Sequence, residues 1–153
     1  MEALYLEDFE VGQTYRSGTL TVDEERLKAF AAEFDPQPFH LDEAAAAQSL
    51  FRGLAASGWH TAAMTMRLLV QGEMRPAGGL VGMGGDELRW PTPTRAGDVL
   101  TCTSEVLQVR PSARRPDQGV VKMRTTTTNA AGEAVQILTM NLLVRRRPAA
   151  APA

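Results

Sequence analysis

The run Trp59-His60-Thr61-Ala62-Ala63-Met64-Thr65-Met66-Arg67-Leu68-Leu69-Val70-Gln71 decides the fold class. Read as a helix from Trp59 to Gln71, it carries apolar side chains around most of its circumference, and Arg67 is its one charge. A helix of that kind is expected to be buried, so another layer must cover it. The chain downstream supplies that layer. After the glycine-rich stretch from Gly72 to Gly85 the periodicity changes to alternation, with Thr101, Thr103, Glu105 and Leu107 interleaved with Leu100, Cys102, Ser104, Val106 and Gln108. Similar β-rich runs cover Val120 to Thr128 and Val135 to Val144, and Asn129-Ala130-Ala131-Gly132 between them reads as a hairpin turn. Gly97-Asp98 precedes the first of these strands in the same way. With Val81 to Trp90 and Gly12 to Leu20 added, the sequence predicts about five strands and one long helix. The economical arrangement is an α+β fold in which an antiparallel sheet curls around the helix and hides it together with one sheet face.

Upstream of the helix, Thr21 and Glu24 have capping-box spacing, and Leu27, Phe30, Ala31 and Phe34 share one helical face, which predicts a helix from Val22 to Phe34. Pro36 and Pro38 forbid its regular continuation, because each lacks an amide proton and restricts the residue before it. A short alanine-rich helix is expected from Asp42 to Leu50, followed by a loop from Arg52-Gly53 to near Ser57-Gly58.

The chain has 153 residues, 44% of them hydrophobic, which fits one domain over residues 1–147. Residues 148–153 form a Pro/Ala tail with little to bury, expected to be disordered. A formal net charge of −2 gives no basic footprint for nucleic acid. The single cysteine, Cys102, has no partner for an intrachain disulfide or a thiol zinc site, and reads as a buried structural thiol in a reducing cytoplasm. The acidic N-terminus and the lack of a membrane-length apolar run predict a soluble, unprocessed protein.

The sharpest local feature is Asp35-Pro36-Gln37-Pro38-Phe39-His40, a carboxylate and an imidazole five residues apart across two prolines. Regular helix or strand would point the two side chains apart, whereas a proline-enforced turn can bring them around a small molecule. Adding water to a double bond conjugated with a thioester needs a base for the water proton and an acid for the α-carbon, roles that an Asp/His pair can fill. By its chemistry alone the pattern equally describes a common turn in which Asp35 caps a local amide and His40 packs beneath the loop.

The stretch from Phe30 to Leu41, with Asp35, Pro38 and His40 in place, resembles the motif of MaoC-like dehydratases and R-specific enoyl-CoA hydratases. That family's pattern runs Asp, any residue, Asn, Pro, any residue, His, and here Gln37 stands at the Asn position. Ala55-Ala56-Ser57-Gly58-Trp59-His60-Thr61-Ala62 resembles the segment entering the family's central helix, with Ser57 where histidine is common. Glu87 to Leu100 is similar to its strand-loop-strand passage, and the likeness as a whole runs from about Tyr5 through Leu107.

The resemblance implies a hot-dog fold and an acyl-CoA hydratase or dehydratase of fatty acid metabolism, with Asp35 and His40 as catalytic pair. It further implies that the Gly58 amide holds the thioester carbonyl, where a helix N-terminus favours the developing negative charge. Gln37, Ser57 and His60 are possible substrate contacts, although Ser57 is also a natural helix N-cap and His60 a natural packing residue. Arg67, Arg75, Arg89, Arg95, Lys122 and Arg124 include possible partners for the phosphates of coenzyme A. No metal and no cofactor apart from the substrate's own coenzyme A is expected, and a homodimer is the family arrangement. Two other functions remain open: a non-catalytic acyl-CoA-binding or structural subunit, and an acyl-CoA thioesterase. The latter commonly needs an acidic residue in the central helix, and none occurs from Trp59 to Gly72.

Overall fold

A computed structural model describes residues 2–150. A 3-10 turn at Leu6–Asp8 leads to β1 (Thr14–Arg16), β2 (Leu20–Thr21), α1 (Glu24–Phe34), α2 (Pro38–Leu41), α3 (Glu43–Ala47), α4 (Gly58–Gln71), β3 (Val81–Arg89), β4 (Val99–Pro111), β5 (Gln118–Thr128) and β6 (Ala134–Arg145). All strand pairs are antiparallel, in the order β1-β4-β5-β6-β3 with β2 also on β4. The α+β architecture follows from the two periodicities expected of the chain.

The long hairpins form where alternation and turn chemistry agree. Leu100, Cys102, Ser104 and Val106 point inward from β4, and in the β5–β6 turn the Asn129 side chain accepts from the amides of Ala131 and Glu133 while Gly132 takes φ +81°. Met64, Leu68 and Leu69 of α4 pack against Leu100 and Cys102 of β4 and Val135 of β6. A second cluster, with Phe9, Val106, Val121, Met123 and Leu142, closes the other end of the sheet.

Several expectations need correction. The N-terminal strand expected from Gly12 to Leu20 is two short strands, because between them the Ser17 hydroxyl accepts the Cys102 amide (2.8 Å) in place of a backbone carbonyl. That raises the strand number to six. Helix α1 starts at Glu24, capped by Asp23 accepting from the Arg26 amide (3.0 Å), not by Thr21. Its Phe34 is exposed. Beyond Pro36 the chain does not merely turn: Pro38, whose fixed φ and missing amide suit a first helical position, opens α2. The next helix is shorter than expected, Glu43–Ala47, with Asp42 accepting from the amides of Ala44 and Ala45. Helix α4 is not covered all round, since Trp59 (60%) and Val70 (56%) are exposed. The sheet covers only the face that carries Met64, Leu68 and Leu69.

Among the described residues no helix is long and apolar enough to cross a membrane. Of the expected tail, 148–150 are exposed and irregular, and 151–153 lie outside the described residues.

Candidate active site

The end of α1 and the start of α4 meet, and the proline pattern explains how. Asp35 terminates α1: its amide still donates to the Ala31 carbonyl (2.8 Å), but its backbone has left the helical region (φ −151°, ψ +66°), as a residue before proline tends to. Pro38 then starts α2, whose single turn brings His40 back over the helix it followed. Asp35 Oδ2 and His40 Nε2 lie 3.3 Å apart. The spacing that would separate the side chains in a regular element thus brings them together.

Each polar atom of the pair has a partner that fixes its role. Ser57 Oγ donates to Asp35 Oδ2 (2.7 Å) and Gln37 Nε2 donates to Asp35 Oδ1 (2.5 Å). Partial burial pushes the Asp35 carboxyl up, but the hydrogen bonds from Gln37 and Ser57, with His40 alongside, outweigh it and hold the group below its ordinary value. Asp35 is therefore a carboxylate at neutral pH. His40 Nδ1 lies 2.6 Å from the Ala55 carbonyl. A carbonyl only accepts, so Nδ1 carries a proton and Nε2 is the nitrogen left to exchange one. His40 is 4% exposed, with the Phe39 ring edge-on at 4.6 Å and Phe51 beyond. The Asp35 side chain keeps 18% exposure, enough for a small molecule to reach it.

Gly58 opens the first turn of α4, where amides lack intrahelical acceptors. Its lack of a side chain is enforced: a Cβ there would lie 2.6 Å from the Trp90 indole, which in turn donates from Nε1 to Gln136 Oε1 (2.9 Å). His40, Gly58, Thr61, Trp90, Thr94 and Val135 are among the residues lining a cleft of about 250 Å³. Thr61 donates to Thr94 (2.9 Å) along its wall. Arg95 sets this geometry from outside, donating to the carbonyls of Phe51 (2.6 Å), Gly53 (2.8 Å) and Leu54 (3.1 Å), immediately before the Ala55 carbonyl that orients His40.

The sequence candidates therefore divide. Asp35, Gln37, His40, Ser57 and Gly58 come together. Ser57, in the N-cap position of α4, makes no capping bond and turns its hydroxyl to Asp35 instead. His60 does not line the cleft. It stacks flat on Phe30 (4.6 Å, 9°) with Nδ1 buried and unpartnered, and burial lowers its pKa. Cys102 is buried in β4. Trp90 was not legible as a site residue, and Arg95, offered as a possible phosphate partner, holds loop carbonyls instead; the bonds that give both their positions span 41–46 residues of chain. Among the described residues no three His, Cys, Asp or Glu side chains form a metal-ligating group.

The chain matches known proteins along most of its length. The family described as MaoC like domain matches residues 8–130. The crystal structure of a MaoC-like dehydratase from Rhodospirillum rubrum is 53% identical, with a TM-score of 0.93 over 96% of this chain and 100% of that one. The R-hydratase PhaJ1 of Pseudomonas aeruginosa, in its unliganded form, is 27% identical, with a TM-score of 0.70 over 99% of this chain and 95% of that one. A protein of Bacillus subtilis named YdeM, whose function is uncharacterized, is 28% identical over 92% of this chain and 99% of its own length.

Proposed function

This chain belongs to the MaoC-like domain family, and from that premise we propose that it interconverts trans-2-enoyl and 3-hydroxyacyl thioesters of coenzyme A, with Asp35 and His40 as catalytic pair. The observation that carries the reading is the 3.3 Å contact between Asp35 Oδ2 and His40 Nε2, with His40 Nδ1 tied to a carbonyl.

In the hydration direction a water molecule lies against both side chains and the β-carbon of the enoyl group. Asp35 takes a proton from the water as its oxygen bonds to the β-carbon. The electron pair of the double bond moves toward the thioester carbonyl, whose oxygen receives the Gly58 amide and the positive end of α4. Protonated His40 delivers the Nε2 proton to the α-carbon, and the proton held by Asp35 returns to Nε2 across the short contact. One water is consumed, and the pair ends as it began. Dehydration is the same path reversed. The hydrogen bonds from Gln37 and Ser57 keep Asp35 ionised as the base. Gln37 reaches the carboxylate although it is one methylene longer than the Asn of the family's motif.

The test is hydration of trans-2-butenoyl-CoA, followed as loss of absorbance of the conjugated enoyl thioester, with chiral analysis of the product. The expected product is the 3R alcohol, by analogy with the R-hydratase relative. Asp35→Asn and His40→Ala are each expected to lower turnover by about a thousandfold, and normal turnover in either removes that assignment. Release of free thiol by wild-type protein would favour a thioesterase.

We further propose that the protein acts as a homodimer. Strand β3 ends the sheet with its outer edge unpaired, Val81 and Met83 are exposed on it, and α4 exposes Trp59 and Val70. Sedimentation at micromolar concentration should give twice the chain mass, and a monomer there overturns this.

A further inference from the structure

A second and larger cavity, of about 740 Å³, lies between α1 and α4 with β2 along one side. Arg26 and Phe30 of α1 and its cap Asp23 face it on one side, and His60, Arg67 and Gln71 of α4 on the other. In both helices these residues recur every three, four or seven positions, so each set belongs to one face. Apolar surface of Leu20 and Met64 runs between them.

The charges in this groove are unbalanced. Neither Arg26 nor Arg67 makes an ion pair among the described residues. The only carboxylate in the lining, Asp23, accepts the Arg26 backbone amide as the cap of α1. The other basic side chains that the sequence offers as phosphate partners are engaged elsewhere. Arg89 and Arg124 pair with Glu87, Lys122 with Asp86, Arg75 with the Gly72 carbonyl, and Arg95 with three carbonyls. Of that set only Arg67 is left without a partner, and Arg26 joins it across the groove. A guanidinium stays charged at any physiological pH, and its planar fork of donors matches the oxygens of a phosphate or a carboxylate.

We propose that the groove between α1 and α4 is an oxyanion-binding subsite in which Arg26 and Arg67 receive a phosphate or carboxylate carried by the thioester substrate, remote from its reacting double bond. The inference rests on the hydratase reading of the Asp35–His40 pair. Its reach agrees with that reading. The groove begins at His60, two residues after Gly58, and Arg67 lies nine residues after Gly58, about 13 Å along the helix axis. That length suits either the pantetheine arm of coenzyme A, ending in its phosphates, or a long acyl tail ending in a carboxylate. The stacked Phe30 and His60, with burial keeping the imidazole neutral, form an uncharged head of the groove beside which an apolar stem passes.

The experiment compares wild type, Arg26→Met, Arg67→Met, the double variant and Arg67→Lys on three thioesters. These are trans-2-butenoyl-CoA, trans-2-butenoyl-pantetheine, which has no phosphate, and a pantetheine thioester whose enoyl chain ends in a carboxylate. Both arginines are exposed on helices, and thermal melts matching wild type establish that the variants are folded. The double variant is expected to raise KM at least tenfold, with kcat unchanged, for the thioester whose anion enters the groove. Arg67→Lys recovers part of that loss, and butenoyl-pantetheine reacts alike in every protein. A loss confined to the coenzyme A ester assigns a phosphate; one confined to the carboxylated acyl group assigns a carboxylate. Unchanged KM for all three esters in the double variant overturns the subsite and leaves the hydratase reading standing. If wild type turns over none of them, the hydratase reading falls, and calorimetric titration with coenzyme A and with glutarate decides the subsite. Binding that the double variant loses sustains it, and no binding or equal binding to both proteins overturns it.

Discussion

The cleft lined by His40 and Gly58 encloses about 250 Å³ and the groove at Arg26 and Arg67 about 740 Å³, yet both start on the first turn of α4. In the cleft and at the Asp35 carboxylate behind His40 the polar atoms are already paired: the Asp35 oxygens accept from Gln37 and Ser57, His40 Nδ1 donates to Ala55, and Thr61 donates to Thr94. In the groove two guanidiniums face open space without acidic partners. The contrast separates two requirements on a polar site. Groups that move protons must be held in place before the substrate arrives, because misplacement by an ångström is costly in rate. Groups that only recognise a charge stay solvated until the ligand replaces water.

The strongest way to break that contrast is to remove the base and keep the shape. Asp35→Asn retains an acceptor for Ser57 but cannot take a proton, so kcat should fall by about a thousandfold. Binding of coenzyme A, measured by calorimetry, should not change. A variant that lost binding as severely as turnover would mean that cleft and groove are one unit. Gly58→Ala comes next. Its Cβ meets the Trp90 ring at 2.6 Å, so the indole must move, taking its bond to Gln136 with it. The expected cost is about a hundredfold in kcat, the range of a lost oxyanion donor. It should come with a shift in tryptophan fluorescence, and an unshifted spectrum with full activity would remove the steric argument.

A smaller effect tests how far the fixed geometry extends beyond the cleft. Arg95→Met deletes three charge-assisted bonds to the carbonyls of the 51–54 loop. Destabilisation of about 2 kcal/mol is expected, with kcat down about tenfold as the Ala55 carbonyl loosens. Equal kcat in a destabilised protein would confine Arg95 to the scaffold. This residue also marks where sequence reading stopped. Features written in adjacent residues were legible: the Asn129–Gly132 turn, the alternation of β4, and the two prolines that turn His40 toward Asp35. Gly58 was legible only through its resemblance to a family segment, because a loop glycine before a helix has many causes. The bracing role of Arg95, the place of Trp90 and the break between β1 and β2 were not legible. Each depends on a side chain meeting a group 41 or more residues away, and no local pattern encodes such a meeting.

The smallest effect sharpens the electrostatics of the cleft itself. Gln37 donates to Asp35 Oδ1, and with Ser57 and His40 it holds the carboxyl low against the opposing push of burial. Gln37→Met removes that donor, so the Asp35 carboxyl should rise toward its ordinary value. At neutral pH both proteins keep Asp35 ionised, and activity should differ only a few-fold. The acid limb of kcat/KM, which reports the free enzyme's base, should move to higher pH in the variant. Stability changes in the matching sense. A carboxyl whose folded pKa lies below its unfolded value, about 3.9, stabilises the fold above that pH and loses this contribution as pH falls through the folded pKa. Wild type has more to lose than Gln37→Met, so their melting temperatures should differ most above about pH 5 and converge as the pH falls through the lowered folded pKa. A difference constant across that range, with an unmoved acid limb, would mean that Gln37 packs against the loop without tuning the base.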